Sequence, residues 1–207
     1  MAVISNFGLS TGSSSTLMPK LQYRFRVTFE NLGVSGSSGN LATSNVISIT
    51  RPGIDHEDVT IDTYNSKIRM LGKHTWQDIT LILRDDVDGN VVTLFDKQLS
   101  RQVNHNTQSS PQAGGNYKFA MHIETLDGAN GPIEDANVLD KWTLAGCFIP
   151  TITYGDLNYS SSDMVQITAT IRFDNASHTL TGSSTDLLSA VAVDETGSNP
   201  AGGAPSS

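Results

Sequence analysis

The chain has 207 residues, enough for one sizeable domain with long loops or arms. Hydrophobic residues make up 37% and charged residues 16%, so the surface must be rich in Ser, Thr, Asn and Gly, a composition that suits an all-β protein with many turns. The net charge of −8 argues against a protein that grips nucleic acid through its phosphates, but not against one that lets nucleic acid slide past.

In chain order, residues 1–19 read as an N-terminal arm, with scattered apolar residues (Val3, Ile4, Phe7, Leu9), a Ser/Thr run and Pro19 at its end. A β domain is expected over residues 20–175. Residues 21–29 alternate: Leu21, Tyr23, Phe25, Val27 and Phe29 share one face, and Gln22, Arg24, Arg26 and Thr28 the other, which is the period of a half-buried strand. A Gly/Ser loop follows at 33–39, then a short strand at 45–51 closed by Pro52-Gly53. Residues 55–71 combine β propensity (Val59, Ile61, Tyr64, Ile68, Met70) with a turn at Asn65-Ser66 and predict a hairpin projecting from the body.

Residues 76–84 alternate again, with Ile79, Leu81 and Leu83 on one face and Asp78, Thr80, Ile82 and Arg84 on the other. Asp85, Asp86, Asp88, Gly89 and Asn90 break that period with turn residues. Val91, Leu94, Phe95, Leu99 and Val103 then recur at three- and four-residue spacings and line one stripe of a helix over about 90–103. Asp86, Asp88 or Asn90 is placed to cap its N-terminus, and Arg101 suits its last turn.

A polar loop spans 104–115, and Tyr117, Phe119, Met121 and Ile123 mark a strand over 117–125. After a long loop at 126–140, the strand over 141–154 is interrupted by Gly146 and Pro150, which confine pairing there to an edge or bulge. The cleanest strand is 164–173: Val165, Ile167, Ala169, Ile171 and Phe173 face one way, Gln166, Thr168, Thr170 and Arg172 the other. Residues 176–207 form a Ser-, Gly- and Ala-rich tail without Lys or Arg, with a short helix over 185–193. The fold class is mainly β, a β-sandwich or barrel with one flanking α-helix.

Chemistry has little support. Asp85, Asp86, Asp88 and Asn90 offer oxygen ligands, but a calcium loop counted from Asp86 has its glycine fourth and Lys97 where a bidentate Glu belongs, so a helix-capping turn explains them better. His56, His74, His105, His122 and His178 show no zinc spacing and read as structural or surface residues. There is no Gly-x-Ser-x-Gly elbow, and Gly36–Gly39 lacks the Lys-Ser/Thr of a phosphate loop. Cys147, next to Phe148 in a strand, reads as a buried, inert thiol; as the single cysteine it excludes an intrachain disulfide. The N-terminal stretch predicts no signal peptide, and no window reaches the roughly 18 apolar residues of a membrane span. Neither catalysis, a cofactor nor a metal is expected. The cations Arg24, Arg26, Arg69 and Arg84 are expected on solvated faces or paired with acidic groups. A sugar-binding sandwich would need exposed aromatic platforms, for which Trp142 and Tyr159 are the candidates.

The order of particular segments goes further: LQYRFRVTFENLG, then VISITRPGI and the acidic hairpin, then WQDITLILRDD leading into VVTLFDKQLSRQ, and last WTLAGCFIPTITYGDLNYSSSDMVQITATIRFDNA. Over about residues 20–175 this resembles the tail-tube protein of contractile-tailed bacteriophages. The closing segment is the most specific, with Gly146, Pro150, the Tyr154-Gly155-Asp156-Leu157 turn and Tyr159-Ser160 ahead of a long alternating strand.

The resemblance implies a structural virion protein, not an enzyme, found in the phage tail and assembled in the bacterial host's cytoplasm. Six copies would form a ring whose strands join across subunits into one inner barrel. Rings would stack into a tube inside a sheath, meet a baseplate and a tail terminator, and pass double-stranded DNA without binding it specifically. The ring proteins of type VI secretion and of extracellular contractile injection systems share this architecture. The resemblance also implies a ring-stacking role for the hairpin, through Asp55, Glu57, Asp58, Asp62, Tyr64, Asn65, Lys67 and Arg69. Polar strand faces are the expected lumen wall, with Asp78, Thr80, Gln166, Thr168 and Thr170 as candidates.

Overall fold

The computed structural model describes residues 20–33, 44–127 and 137–180. The arm, most of the Gly/Ser loop, much of the 126–140 loop, and the tail beyond residue 180 with its expected helix lie outside the described residues.

Among the described residues the strands are β1 (Phe25–Glu30), β2 (Val46–Ile49), β3 (Ile54–Asp62), β4 (Lys67–Trp76), β5 (Ile79–Arg84), β6 (Phe119–Leu126), β7 (Val138–Thr153), β8 (Gln166–Arg172) and β9 (Asn175–Leu180), and the α-helix α1 (Asn90–Gln102) lies between β5 and β6. They make a seven-stranded antiparallel sheet in the order β1-β6-β7-β8-β5-β2, with β9 also on β7, and a separate two-stranded ribbon of β3 and β4.

The 16-residue β7 organises the sheet. Residues 138–147 pair with β6 and β9, and residues 148–153 with β8. At the crossover Gly146 has φ +71, and a Cβ there would collide with the Asp174 carboxylate, so the bend requires glycine. The register with β6 shifts at the same point, where Cys147 and Leu144 face Phe119 and Met121, and the register with β8 shifts just beyond it, between Phe148 and Thr151. About this bend the two halves of the sheet turn one face each toward a common core. Val27, Phe29, Met121, Ile123 and Leu144 enter it from one half, and Ile79, Leu81, Leu83, Ile167, Ala169 and Ile171 from the other. The result is a β-sandwich whose sheet, among the described residues, is not closed.

The alternating patterns place the core faces of β1, β5, β6 and β8 as expected, but boundaries differ: β6 starts at Phe119 rather than Tyr117, and β7 starts at Val138, inside the expected 126–140 loop. The first strand starts at Phe25, because Arg24 N–H turns back to the Leu21 carbonyl at 3.2 Å; Tyr23 is exposed. The ribbon runs past Leu71 to Trp76 on its second strand. Residues 175–180, assigned by composition to the tail, form β9 along β7: their polar Asn, Ser, His and Thr mask the strand, and the one fully apolar inward residue is Ala176.

Helix α1 closes the sandwich through Val91 and Phe95. Leu94 and Leu99 only pack against the core edge, and Val103 is exposed as the C-cap. The stripe is therefore rotated toward Gln98, which is wholly buried. Its amide accepts from Gly33 N–H at 3.0 Å and donates to the Tyr117 carbonyl at 2.5 Å, which satisfies it in the core. Gly89 is the N-cap, while the Asp86 carboxylate accepts from Asn90 N–H at 2.8 Å, so the acidic turn does serve the helix start. Arg101 donates to the Asn31 and Asn116 carbonyls, both at 2.6 Å, tying the last turn to the ends of β1 and the loop before β6.

Candidate functional site

Two surfaces gather the residues that the sequence singles out. The first is the outer face of the sheet formed by β7, β8, β5 and β2. Residues opposite one another in antiparallel strands point to the same side. Thr80 pairs with Thr170, and Thr170 with Thr151; Ile82 pairs with Thr168, and Thr168 with Thr153; Arg84 pairs with Gln166. Ser48 joins the face across from Ile82, and the Thr50 hydroxyl accepts from Thr80 N–H at 2.8 Å. The opposite faces of the same strands are the fully buried Leu81, Ala169 and Ile171, so burial fixes which side is polar.

Asp78 lies just before β5 and closes this face at one end. Arg172 Nε donates to its two carboxylate oxygens at 2.9 and 3.0 Å. The Asp78 hydrogen bond and charge push the Arg172 guanidinium still further up from its ordinary value. Thus Asp78, Thr80, Gln166, Thr168 and Thr170 stand on one hydroxyl-rich surface. Sequence reading missed Thr151 and Thr153, although the Thr-Ile-Thr alternation continuing past Pro150 carried the signal. It also missed Ser48 and Thr50.

The second surface is the ribbon of β3 and β4, all of whose β3 residues are exposed. The Thr63–Ser66 turn closes it, with Tyr64 fully exposed at the tip beside Asn65. On one side Asp58 pairs with Arg69 at 3.3 Å and Asp62 with Lys67 at 3.2 Å. Asp55 accepts from the Gln77 amide at 2.9 Å at the base, and Glu57 lies at the bulge between His56 and Asp58. The expected stacking residues therefore lie together on one projecting element. Four of them, however, neutralise each other within the chain. On the other side, Val59 faces Met70 and Ile61 faces Ile68. All four are about half exposed, and this apolar face was not read from the sequence.

An aromatic series anchors the ribbon to the sandwich: His56 to His74 at 6.1 Å, His74 to Trp76 at 5.9 Å, and Trp76 to Phe173 at 5.5 Å between ring centroids. Arg84 is exposed at the end of β5, opposite Gln166, while Arg26 and Arg24 are engaged within the chain. Arg26 pairs with Glu124 at 2.7 Å, with Lys141 on the second Glu124 oxygen at 3.3 Å, and Arg24 donates to the Asp127 carbonyl at 2.7 Å. The sugar-stacking candidates do not meet. Trp142 stacks on His178 at 4.2 Å in the first half of β7, while Tyr159 stands fully exposed beyond the end of that strand. Cys147 is fully buried, and burial pushes its thiol up to about 12.

The sheet's ends complete the picture. Among the described residues, β2 terminates one end of the strand order, with an outer edge that no described strand pairs, and β1 stands at the other end. Along the second half of β7, the Gln102 amide takes the place of a neighbouring strand at one residue, donating to the Ile149 carbonyl at 2.8 Å and accepting from Ile149 N–H at 2.9 Å. Among the described residues, no helix is long and apolar enough to cross a membrane.

The described residues thus make an open β-sandwich with one flanking helix and a projecting ribbon. Among solved structures, the chain is similar to a chain of the anti-feeding prophage baseplate, determined with 6-fold symmetry: the TM-score is 0.59 at 14% identity, covering 81% of this chain and 99% of that one. It is similar in the same way to a chain of the sheath-tube complex of an extracellular contractile injection system, PVC, in the extended state, with a TM-score of 0.58, 16% identity, and 87% and 99% coverage. The sheath/tube terminator of that system gives a TM-score of 0.59 at 18% identity, with 80% and 99% coverage. At these identities the likeness establishes the fold. No family profile and no curated protein sequence matches the chain.

Proposed function

We propose that this chain is the structural subunit of a phage tail tube. Six copies close into a ring, rings stack, and the genome passes through the lumen. The observation that carries this reading is the sheet of β7, β8, β5 and β2, with one side packed in the core and the other a continuous hydroxyl-rich surface. A single chain gains nothing from leaving such a sheet open at β2. Joining that edge to the next copy removes an aggregation-prone border and closes a barrel whose polar side faces water.

In this reading Asp78, Thr80, Gln166, Thr168 and Thr170 line the lumen, with the Arg172 charge answered by Asp78. A net charge of −8 per copy keeps a polyanion from adhering to the tube. The ribbon, with Asp55, Glu57, Asp58, Asp62, Tyr64, Asn65, Lys67 and Arg69, meets the adjacent ring. The sheath, baseplate and tail terminator are the remaining partners. The protein resides in the virion tail, assembles in the bacterial cytoplasm and performs no catalysis.

Electron microscopy of the purified protein tests this. Six-fold rings and hollow tubes are the expected result, and monodisperse single chains at high concentration would refute it. A second reading, the inner tube of an extracellular contractile injection system, draws support from the solved structures of such systems that share the fold. Nuclease-protected DNA in purified native particles supports the phage tube; DNA-free particles carrying protein cargo support the second reading.

A further inference from the structure

Two exposed apolar surfaces leave the sandwich at opposite ends of the same strand pair. The ribbon joins β5 at Ile79, which pairs with Ile171; residues 154–165 join β8 at Gln166, which pairs with Arg84 at the far end of β5. At about 3.3 Å per residue, β5 sets the two junctions about 17 Å apart along the strands. The ribbon's contribution is Val59, Ile61, Ile68 and Met70, 46–54% exposed on a single face. The loop's contribution is Leu157, Tyr159 and Met164, exposed by 85%, 112% and 58%.

The loop is built to hold those side chains out. Tyr154 OH donates to Asp96 of α1 at 2.5 Å, fixing one end to the helix. Gly155 has φ +76, and a Cβ there would fall 2.7 Å from the Gln166 carbonyl, so the loop base closes only with glycine. The Asn158 side-chain oxygen accepts from Ser160 N–H at 3.0 Å and from the Ser160 hydroxyl at 2.8 Å; Ser161 donates to Asp163 at 2.7 Å. The loop's own polar groups thus satisfy one another, while Leu157 and Tyr159 have no cover among the described residues. A surface already ordered loses less entropy on docking.

The ribbon needs a cover as well. A two-stranded ribbon is at best marginally stable by itself. Its charged side is neutralised by the Asp58–Arg69 and Asp62–Lys67 pairs, which leaves the apolar side as the face that gains from burial.

Resting on the stacked-ring reading above, we propose that the apolar face of the ribbon seats on the 154–165 loop of a second copy, in the adjacent ring. Donor and acceptor are different surfaces at opposite ends of one chain, so the contact is head-to-tail and does not close on itself; it propagates a stack. Four half-exposed side chains against three are too small a patch for a stable one-to-one dimer. Repeated around a ring, the same contact is multivalent and holds. Single chains therefore stay unpaired, and stacking follows ring closure.

Complementation tests this. Ile61→Glu spoils the ribbon and keeps the loop; Leu157→Glu does the reverse. Both sites are exposed, and unchanged melting curves verify folding. Each variant alone is expected to give single rings with loss of tubes. Mixed, the ribbon of the Leu157→Glu rings can dock on the loop of the Ile61→Glu rings, while the reverse contact sets two carboxylates against each other, so two-ring stacks form and nothing longer. Wild-type tubes from either variant alone, a mixture that remains single rings, or a mixture that forms long tubes would each overturn the contact while leaving the tube reading standing. A wild-type protein that never forms rings overturns that reading and this inference with it.

Discussion

Asp140 shows how much a single residue depends on partners far away in sequence. It is buried on β7, and Lys20 reaches it from 120 residues upstream. Burial alone would push its carboxyl up, but hydrogen bonds from Lys20 and Thr125, together with the Lys20 charge, outweigh burial and hold it below the ordinary 3.8. The folded state therefore releases this proton more readily than the unfolded chain. The stabilisation is fully present above 3.8 and is lost as pH falls through the lower folded value. Asp140→Asn is expected to cost about 1–2 kcal/mol near neutrality, in the range of a charge-assisted hydrogen bond to a half-exposed lysine. Urea melts of both proteins across pH check it: the gap between them should shrink below about pH 3.8, and a gap constant down to strongly acidic pH would contradict the assignment. Nothing local in the sequence marks Asp140, because it was read as the end of a loop; the same holds for Glu124, whose partners Arg26 and Lys141 come from two other strands.

Elements were more legible than residues, and the reason is periodicity. Alternation located β1, β5, β6 and β8, and turn chemistry at Asn65-Ser66 located the ribbon, because these signals are carried within six to ten residues. The crossover of β7 between two sets of neighbours depends on Gly146 and on which strands flank it, so a local pattern reports an interruption and not a bend. Helix α1 is the instructive case. The spacing predicts a stripe of Val91, Leu94, Phe95, Leu99 and Val103; Val91 and Phe95 are buried as expected, but the line continues through Gln98, which Gly33 and Tyr117 hold from distant loops. Phe95→Ala is accordingly expected to cost roughly 3–5 kcal/mol, as for a large aromatic removed from a core. Leu94→Ala and Leu99→Ala should each cost clearly less, because both side chains already touch solvent. Denaturant midpoints for the three variants decide the order; a Leu99→Ala loss equal to that of Phe95→Ala would place the stripe where the periodicity alone put it.

At the scale of the whole molecule, the sequence's polar strand faces acquire meaning only once β5 and β8 are neighbours. Thr80 and Thr168 come from segments far apart in the chain, yet the register sets them on one surface with Thr170, Thr151 and Thr153. Sequence could name the polar sets but not join them, because strand order is set by packing across the core. In the tube reading this surface is the lumen wall, and its charge matters more than its shape. Hydroxyls exchange hydrogen bonds with water and hold no phosphate firmly, whereas each added cation creates a salt-dependent phosphate contact. Arg172 does not act as such a cation while Asp78 grips it from beside the sheet. Thr168→Lys adds a charge with no acidic neighbour in the pairing register, where it faces Ile82 and Thr153. The site is only partly buried and already polar, so melting should change little. Repeated in every copy, the substitution would ring the lumen with cations at each layer, and genome ejection should slow, most at low ionic strength. Single-particle ejection measurements at two salt concentrations provide the check. Normal rates at low salt would show either that this face does not line the lumen or that its charge does not limit passage. Asp78→Asn is a second test of the same wall: by releasing Arg172 it should slow ejection in the same salt-dependent way without adding any new side chain.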